Sequence, residues 1–542
     1  MATFMPSSEQ NQAIQYNGDM VIIARPGSGK TSVLSCKVRN KVSELNSYQG
    51  IIAISFTNKA SDELERRCKA DAFKIKASFF GTIDDFCLRE IIFPFAKQLM
   101  FVPTEIKTAK IKELPDLVKN KIPAMPLEDD NITNTIKFLP FIQEAISQGF
   151  VPLESVGMLA NYIVEKSLAC QKYLVARYRA VYIDEYQDSG FFQHQLFLKL
   201  KQLGLTAVAV GDGDQSIYAF AQKDSKYLLG LTAKNSGFAH FSISTNFRCH
   251  PSINDFALRL LNPNHQMLPG EDIRVLIKTV NGDQKAIGRW LQTAIPHLMR
   301  HYQIALASKV AILCRHQHSA KLIANNLGLA YRIFEDGPFE AAPTNEATVL
   351  TDLLKLRYDT SMTAESLIDR AGIFNSTYQE RRALRKTILS CRTCSDEDLQ
   401  ERAQAAAAGL IGQQLSLISV TELKDICGDS SKLNWFERPG DNAVQIMTLH
   451  KAKGLEFDLV FHADLYDHVL PARRYPPGTY GQIIFENEVQ CLNLHYVGIT
   501  RAVKACVLMT SNYRINGRGD VKNGDPSQFI GRNGTIAIPI NW

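Results

Sequence analysis

Short apolar runs recur along the chain and alternate with stretches of helical periodicity. The early runs lie at 20–23, 50–56, 79–83, 180–183, 206–210 and 241–243, and the later ones at 273–278, 310–314, 443–447, 459–461 and 507–510. Runs of this length, separated by amphipathic helices, are typical of strands buried on both faces of a parallel sheet. The pattern therefore predicts an α/β protein with two sheets, one in each half of the chain.

Two long segments interrupt this alternation. Residues 90–173 and 338–440 show helical periodicity without strong strand runs, and the second contains the alanine-rich stretch 404–408. A chain of 542 residues is also too long for a single core, and three or four units are expected. We therefore predict one α/β domain from 1–89 with 174–245, a second from 246–337 with 441–542, and a helical insertion in each, at 90–173 and 338–440.

The sequence ARPGSGKT follows the first strand and opens a helical stretch. Glycines at 27 and 29 let successive backbone N–H groups converge on phosphate oxygens, Lys30 supplies a positive charge, and the Thr31 hydroxyl can bind Mg²⁺. The strand, glycine loop and helix together predict a P-loop that binds a nucleoside triphosphate. Its residues are Ala24, Arg25, Pro26, Gly27, Ser28, Gly29, Lys30 and Thr31.

Two adjacent carboxylates, Asp184 and Glu185, follow the strand at 180–183. An acidic pair at the carboxyl end of a strand can simply cap it. With a P-loop upstream, however, the pair suits a site in which Asp184 holds Mg²⁺ and Glu185 polarises the attacking water. We therefore favour the catalytic interpretation.

Other polar and aromatic side chains stand where ligand sites of open α/β sheets form, at the ends of strands. Gln215 could sense the γ-phosphate, and Phe247 with Arg248 combines a flat ring with a fork of donors. Gln10 precedes the first strand, and its amide can donate to and accept from one adenine edge. A glutamine in this position is by itself more typical of a protein surface.

Composition narrows these hypotheses only slightly. The excess of 61 Lys and Arg over 55 Asp and Glu permits a nucleic-acid partner without requiring one. The sequence has no run long enough for a membrane span and no signal-peptide pattern at residues 1–10, so we expect a cytoplasmic protein with reduced thiols. The pair Cys391 and Cys394 lacks the further ligands of a zinc site, and we interpret both as ordinary helix residues.

The ordered motifs resemble those of superfamily 1A DNA helicases of the UvrD/Rep/PcrA family, over nearly all of both α/β parts. SEQNQAI resembles the Q motif, FTNKAS motif Ia, YIDEYQDS motif II, VGDGDQSIYAF motif III, TNFRCHPSI motif IV, MTLHKAKGLEF motif V and HYVGITRA motif VI. The resemblance implies two RecA-like domains with ATP and Mg²⁺ bound in the cleft between them.

The resemblance assigns roles to individual residues. In the ATP site it implies that Gln10 recognises adenine, that Phe247 stacks on it, that Gln215 couples hydrolysis to DNA, that Arg248 and Arg501 grip the γ-phosphate, and that Glu456 binds ribose. On single-stranded DNA it implies contacts from Phe56, Thr57, Asn58, Thr82, Tyr218, Phe220, Thr448 and His450. Arg501 could instead pair with a carboxylate of its own domain.

Several positions depart from the family pattern. Asp84 stands where histidine is usual, Phe220 where tryptophan is usual, and Ala221 where arginine is usual. The strand-separating hairpin, near 516–519, has no aromatic tip, and the second insertion is shorter than the family's 2B subdomain. These departures make duplex unwinding a weaker expectation than translocation.

We therefore expect an ATP-dependent single-stranded DNA translocase and 3′-to-5′ helicase, the polarity coming from the resemblance alone. One alternative is a DNA-end-sensing ATPase without robust unwinding, and another is a binding module whose nucleotide pocket regulates assembly. Compact helicases of this family occur in bacterial anti-phage systems such as Gabija, which implies a nuclease as a candidate partner.

Overall fold

The computed structural model describes residues 4–56, 58–103, 106–111, 114–122, 132–212, 226–266, 272–335, 337–339, 345–360, 362–371, 377–437, 440–474 and 484–541. No helix in these ranges combines the length and apolar character needed to cross a membrane.

Strands are numbered here in chain order. They are β1 Met20–Ala24, β2 Gly50–Ile54, β3 Phe79–Gly81, β4 Lys107–Ala109, β5 Phe150–Pro152, β6 Tyr178–Ile183, β7 Thr206–Gly211, β8 Ala239–Ile243, β9 Val275–Val280, β10 Val310–Cys314, β11 Tyr331–Ile333, β12 Val444–Thr448, β13 Phe457–His462, β14 Ala472–Arg474, β15 Ile484–Glu486, β16 Ala502–Ser511, β17 Tyr513–Ile515, β18 Val521–Asn523 and β19 Ile538–Pro539.

The α-helices are numbered in the same way. They are α1 Ser8–Gln15, α2 Lys30–Ser43, α3 Asn58–Cys68, α4 Ile83–Phe86, α5 Phe93–Phe95, α6 Asp116–Lys119, α7 Ile132–Ser147, α8 Val156–Lys166, α9 Leu168–Arg177, α10 Phe191–Gln202, α11 Lys226–Leu231, α12 Pro251–Leu261, α13 Gln284–His301, α14 Gln317–Ala324, α15 Asn345–Tyr358, α16 Ala364–Arg370, α17 Tyr378–Thr393, α18 Asp396–Ile411, α19 Leu417–Cys427, α20 Ser430–Leu433 and α21 Glu488–Ile499.

The first sheet is parallel, with strand order β3-β2-β6-β7-β1-β8. Alternate residues of its strands pack into two cores on opposite faces: Val21 lies in one, and Met20 and Ile22 lie in the other. Burial on both faces is why these strands are continuous apolar runs. It also brings the carboxyl ends of β1, β2, β6 and β7 to one edge.

The second sheet is also parallel, with strand order β11-β12-β10-β13-β16-β9-β19. The prediction of two parallel α/β sheets is thus confirmed. Some strand limits differ from the prediction. The strand predicted at 507–510 begins at Ala502. Its first part includes the half-buried Lys504, which pairs with Asp458 at 3.0 Å and interrupts the apolar run, so the sequence signals only the fully apolar part.

Both predicted insertions are mainly helical where they are described. The first also contains the short parallel pair β4 and β5, which at three residues each are too short to give a strand pattern in the sequence. In the second, α15 to α19 enclose a core of their own, and Ala403, Ala406 and Ala407 lie fully buried where α18 packs on its neighbours. The small alanine side chains allow this close helix packing. The residue limits of the four units remain predictions.

The cysteine pair lies in this second insertion. Cys391 is buried in α17, and Cys394 follows the last residue of that helix. In the described part of the chain, no three His, Cys, Asp or Glu side chains are grouped so as to hold a metal ion.

Two histidines, one at the end of β13 and one in α21, form a hydrogen-bonded pair. The Nδ1 of His462 lies 3.2 Å from the carbonyl oxygen of Ala463, and its Nε2 lies 3.0 Å from Nδ1 of His495. A carbonyl only accepts, so His462 carries its proton on Nδ1 and His495 donates to Nε2. Burial lowers the pKa of His462 to about 4 and that of His495 well below its ordinary value. Both imidazoles are therefore neutral at pH 7.

This pair predicts acid sensitivity. The unfolded chain takes up a proton at each histidine below pH 6.5 while the folded chain does not, so each lowers the free energy of unfolding by about 1.4 kcal/mol per pH unit between 6.5 and the folded pKa. We expect the contribution of this pair to the free energy of unfolding, measured with urea, to be constant above pH 6.5 and to fall towards pH 4. His495→Gln, which can still donate to His462, should reduce the slope. If the wild type and His495→Gln show the same slope of stability against pH, the histidine pair does not cause the acid sensitivity.

Candidate functional site

The P-loop connects β1 to α2 at the first sheet's carboxyl edge. Gly27 and Gly29 have φ of 71° and 78°, a conformation that other residues rarely adopt. A Cβ on Gly27 would also lie 2.6 Å from Cβ of Arg248, so a side chain has no room there. Because α2 begins at Lys30, its unpaired N–H groups lie next to the loop, as an anion site requires.

Lys30 is buried beside Glu185, with its Nζ 3.7 Å from Oε2 of the carboxylate. In the described part of the chain this Nζ has no hydrogen-bond partner, and neither does the buried Ser28 hydroxyl. Buried donors in folded proteins are rarely left unpaired. These two therefore fit a loop that receives phosphate oxygens.

The acidic pair lies at the end of β6 and faces the P-loop. Asp184 Oδ1 accepts from the backbone N–H of Glu185 at 2.9 Å, and its carboxylate also bonds the Thr31 side chain. Burial and the charge of Glu185 raise the pKa of Asp184. The Glu185 Oε2 accepts from Gln187 Nε2 at 2.5 Å. The pair thus sits against the loop, in the arrangement expected of a catalytic pair.

Glu185 is held in its charged form. Burial alone would raise its pKa, but the Lys30 and Lys453 ammonium groups outweigh this effect and hold the pKa below its ordinary value. Its backbone adopts φ 54°, which is uncommon for a residue with a side chain. An ionised carboxylate in a fixed orientation can accept a proton from a water molecule or orient it.

Two arginines lie in this region: Arg248 follows β8 of the first sheet, and Arg501 directly precedes β16 of the second. Arg248 Nη2 pairs with Glu456 Oε1 at 2.5 Å. Arg501 is 2% exposed and donates from Nε to the Val497 carbonyl at 3.1 Å and from Nη1 to the Leu455 carbonyl at 3.3 Å. Burial, together with the charge of Arg248, lowers the pKa of Arg501 to about 10.

Arg501 has no salt bridge within the described residues, and Glu185 is among the charges that act on it. The structure therefore gives no support to the alternative in which Arg501 pairs with a carboxylate of its own domain. Instead it brings a buried cation from the second sheet close to the acidic pair of the first.

The sequence did not indicate the contact that joins these two parts most directly. Lys453 Nζ lies 2.5 Å from Asp188 Oδ2, with side-chain exposures of 9% and 0%. Asp188 follows β6, and Lys453 lies in the turn after β12, so the pair connects the two sheets. Both motifs contain charged residues between apolar ones, and a buried charge requires a partner, but the sequence does not show which of these residues are buried or which of them pair.

Gln10 uses its amide within the protein. Its Oε1 accepts from the Ser7 N–H at 2.8 Å, and its Nε2 donates to the Ser28 carbonyl at 2.7 Å. The side chain is 1% exposed. These contacts connect the start of α1 to the P-loop, and adenine recognition by Gln10 remains a prediction. Phe247, in contrast, is 59% exposed and its N–H donates to the Gly27 carbonyl at 2.9 Å, so its ring is available for stacking.

The two roles of Gln10 can be separated. We expect Gln10→Ala to lower the melting temperature, because leaving a buried hydrogen-bonding group unpaired costs about 1–3 kcal/mol. The exposed Gln12→Ala, on the same helix, is the control and should change neither stability nor activity. Nucleotide selectivity decides the rest: if the ratio of ATP to GTP affinity is unchanged in Gln10→Ala, adenine recognition by this residue is wrong.

The predicted DNA contacts are only partly described. Thr57 and the stretch 213–225, which includes Gln215, Tyr218 and Phe220, lie outside the described residues. Phe56 follows β2, and Asn58 begins α3. The Thr82 hydroxyl caps α4 by accepting from the Asp85 N–H at 3.2 Å, and it donates to Asp85 Oδ2 at 2.8 Å.

Thr448 and His450 stand at the end of β12, on the second sheet. His450 Nδ1 lies 3.5 Å from Nη1 of Arg315. Burial lowers the pKa of His450 to about 4, with Arg315 and Lys453 adding to the effect, so its imidazole is neutral.

Sequence reasoning missed Arg315 as part of this edge. Arg315 follows β10 directly, and its N–H donates to Asp464 Oδ2 at 3.0 Å, as does the N–H of His316 at 3.3 Å. An arginine placed after a fully apolar strand was a usable signal, because strand ends carry the ligand sites of such sheets.

Models of known protein families match a part of each half of the chain. A family model described as an AAA domain matches residues 10–221, and one described as the UvrD-like helicase C-terminal domain matches 357–513. The chain is 27% identical to the Gabija protein GajB of Bacillus cereus (strain VD045), with 93% of this chain and 95% of that protein covered.

Two helicases are similar at lower identity. The ATP-dependent DNA helicase PcrA of Leuconostoc citreum is 23% identical, with 97% of this chain and 84% of that protein covered. DNA helicase II of Rickettsia typhi is also 23% identical, with coverage of 97% and 94%. Together with the P-loop, the acidic pair and the two parallel sheets, these matches support an ATP-dependent DNA helicase of the UvrD-like kind, to which the chain is similar in both halves.

Proposed function

We propose that the protein hydrolyses ATP between its two sheets and uses the cycle to move 3′-to-5′ along single-stranded DNA. The observation that carries this proposal is the convergence of charges from both sheets on one carboxylate. Lys30 from the P-loop, and Lys453 and Arg501 from the second sheet, all lower the pKa of Glu185. Because residues of both units complete the site, its geometry changes when the units move apart. Coupling of ATP hydrolysis to movement along DNA requires such a change.

In this proposal the P-loop and Lys30 bind the phosphates, and Glu185 polarises the attacking water. Mg²⁺ would be held by Thr31 and Asp184, and when bound it supplies positive charge to the phosphates. The residues fit this ion, because a buried carboxylate with a raised pKa beside a hydroxyl gains a counter-charge from it. Arg248 and Arg501 stabilise the charge that develops on the transferred phosphoryl group.

The turn after β12 offers a route from ATP to DNA. It carries His450, a predicted DNA contact, and three residues later Lys453, whose N–H donates to the His450 carbonyl at 3.3 Å. Lys453 in turn pairs with Asp188 of the first sheet. A change at the acidic pair therefore displaces the turn that faces DNA. Gln215 would add a second route through the first sheet.

A second candidate function is DNA-end sensing by an ATPase that does not unwind robustly. The antiparallel pair β17 and β18 forms a hairpin whose turn, Asn516 to Gly519, has no aromatic residue. The similarity to the Gabija protein supports a role in an anti-phage defence complex with a nuclease partner. We rank this function second, because the chain is also similar to DNA helicases over 97% of its length.

Strand displacement separates the two functions. ATP hydrolysis and unwinding should be measured together on 3′-tailed, 5′-tailed and blunt duplexes. Unwinding of the 3′-tailed duplex alone is expected. Unwinding of the 5′-tailed duplex alone would contradict the polarity, and strong ATPase stimulation by duplex ends without strand displacement would favour the end-sensing alternative.

A further inference from the structure

The segment that leads from the first sheet to the second is fixed at its start. After β8 ends at Ile243, the Ser244 N–H and hydroxyl donate to the two carboxylate oxygens of Glu9 at 2.8 and 2.7 Å. Beyond this point lie Phe247 and Arg248, both predicted to contact ATP. The geometry of the connection therefore sets where these two side chains stand relative to the P-loop.

Asn246 joins this segment to the P-loop with its side-chain amide. Its Nδ2 donates to the Pro26 carbonyl at 2.8 Å and to Asn254 Oδ1 at 3.2 Å. Its Oδ1 accepts from the N–H groups of Arg248 and Cys249, both at 2.8 Å. All four hydrogen-bonding positions of the amide are thus used.

The contact of Asn246 with the P-loop leaves no space for a side chain at position 27. A Cβ on Gly27 would lie 2.8 Å from Asn246 Oδ1, closer than real Cβ contacts allow. The Phe247 N–H adds a further bond, to the Gly27 carbonyl at 2.9 Å. The glycine at position 27 is therefore required by the segment as well as by the phosphate cradle.

The far end of the segment is bonded to the chain around Arg501. The Cys249 thiol lies 3.5 Å from the Thr500 carbonyl, and the His250 N–H donates to the Val503 carbonyl at 2.8 Å. Five residues, 246–250, thus span from the P-loop to Thr500 and Val503, which lie on either side of Arg501 in the chain. A displacement of the loop is transmitted through this short segment to both arginines.

We propose that Asn246 is a positioning residue for ATP hydrolysis, which sets Arg248 and Arg501 relative to the P-loop by holding the Pro26 carbonyl and the Arg248 N–H with one amide. Asn246 does not contact the nucleotide. This inference rests on the proposed roles of the two arginines. It predicts that loss of the amide lowers kcat while ATP binding through the P-loop is retained.

Two variants separate positioning from local folding. Asn246→Asp keeps an oxygen that accepts from Arg248 and Cys249 but replaces the donor to Pro26 by a second oxygen, so the turn is kept and the connection to the loop is lost. Asn246→Ala removes both the acceptor oxygen and the donor to Pro26, and it adds no charge. Asn254→Ala is the matched control, because it removes only the 3.2 Å acceptor.

We expect DNA-stimulated kcat to fall about 10- to 100-fold in both Asn246 variants, the size of effect that an ångström-scale misplacement produces. The KM for ATP should change by less than about threefold. The Asn254→Ala control should retain wild-type kcat. Melting temperatures are measured for all variants, and Asn246→Asp should melt close to the wild type.

Arg248→Ala is measured alongside. If it slows turnover but both Asn246 variants keep wild-type kcat, the positioning role is wrong and the arginine role stands. If Arg248→Ala itself keeps wild-type turnover, the proposed use of the arginines is wrong and the inference falls with it. A loss of kcat that follows only the fraction of unfolded protein would also overturn the proposal.

Discussion

Lys30→Ala is expected to abolish DNA-stimulated ATP hydrolysis while leaving the fold intact. Lys30 Nζ lies 3.7 Å from the Glu185 carboxylate at the P-loop, and this Nζ has no hydrogen-bond partner among the described residues. Its removal therefore breaks no hydrogen bond of the described fold. It does remove the charge that binds the β- and γ-phosphates, and it leaves two buried carboxylates less compensated.

The measurement is steady-state ATPase with saturating single-stranded DNA, together with thermal unfolding. Lys41→Ala is the control, because Lys41 lies on the same helix in an exposed pair with Glu44 and should change neither quantity. ATP hydrolysis that persists in Lys30→Ala would remove the P-loop from the mechanism. A large loss of melting temperature would mean that the lysine mainly stabilises the carboxylates.

Arg501→Ala should slow hydrolysis about 10³-fold or more, the magnitude expected of an arginine that stabilises the charge of phosphoryl transfer. Arg501 is buried with a lowered pKa, so its charge is held at a cost that an anion in the cleft would offset. Nucleotide binding should be largely retained, because the P-loop is unchanged. Arg501→Lys keeps a charge but loses the fork of donors, and it should not restore turnover.

A half-buried arginine of the same half of the chain provides the control. Burial also lowers the pKa of Arg332, which donates to the Trp435 carbonyl away from the acidic pair. Arg332→Ala should lower stability and retain turnover per folded molecule. If Arg501→Ala behaves like Arg332→Ala, with stability lost and turnover kept, Arg501 has a structural role and the two-sided ATP site is wrong.

The sequence predicted those parts of the molecule that depend on local pattern. Strands buried on both faces are continuous apolar runs, so β1, β6 and β10 were visible, as were the loop at Gly27 and the carboxylates at Asp184 that follow such runs. The first part of β16 was not visible, because the charged, half-buried Lys504 interrupts the apolar run there. The local sequence does not show which neighbouring strands pair with the ends of a given strand.

Contacts between distant residues were beyond prediction. The pairing of Lys453 with Asp188 joins positions on different sheets, and the amide of Asn246 bonds a loop 220 residues earlier in the chain. The contact of Gln10 with Ser28 was missed for the same reason, since the motif suggests a ligand for the amide whereas the fold supplies a carbonyl. Predicted roles of Gln215, Tyr218 and Phe220 lie outside the described residues.

The position of the second helical insertion has a consequence for protein engineering. It lies between β11 and β12, which are neighbouring parallel strands with Tyr331 opposite Val444. The chain therefore leaves at one edge of the sheet and must return at the other, a path that ordinarily takes a dozen or more residues. The insertion thus serves as the crossover connection of a βαβ unit. A minimal motor cannot be made by cutting it out and joining the ends, but requires a single helix in its place.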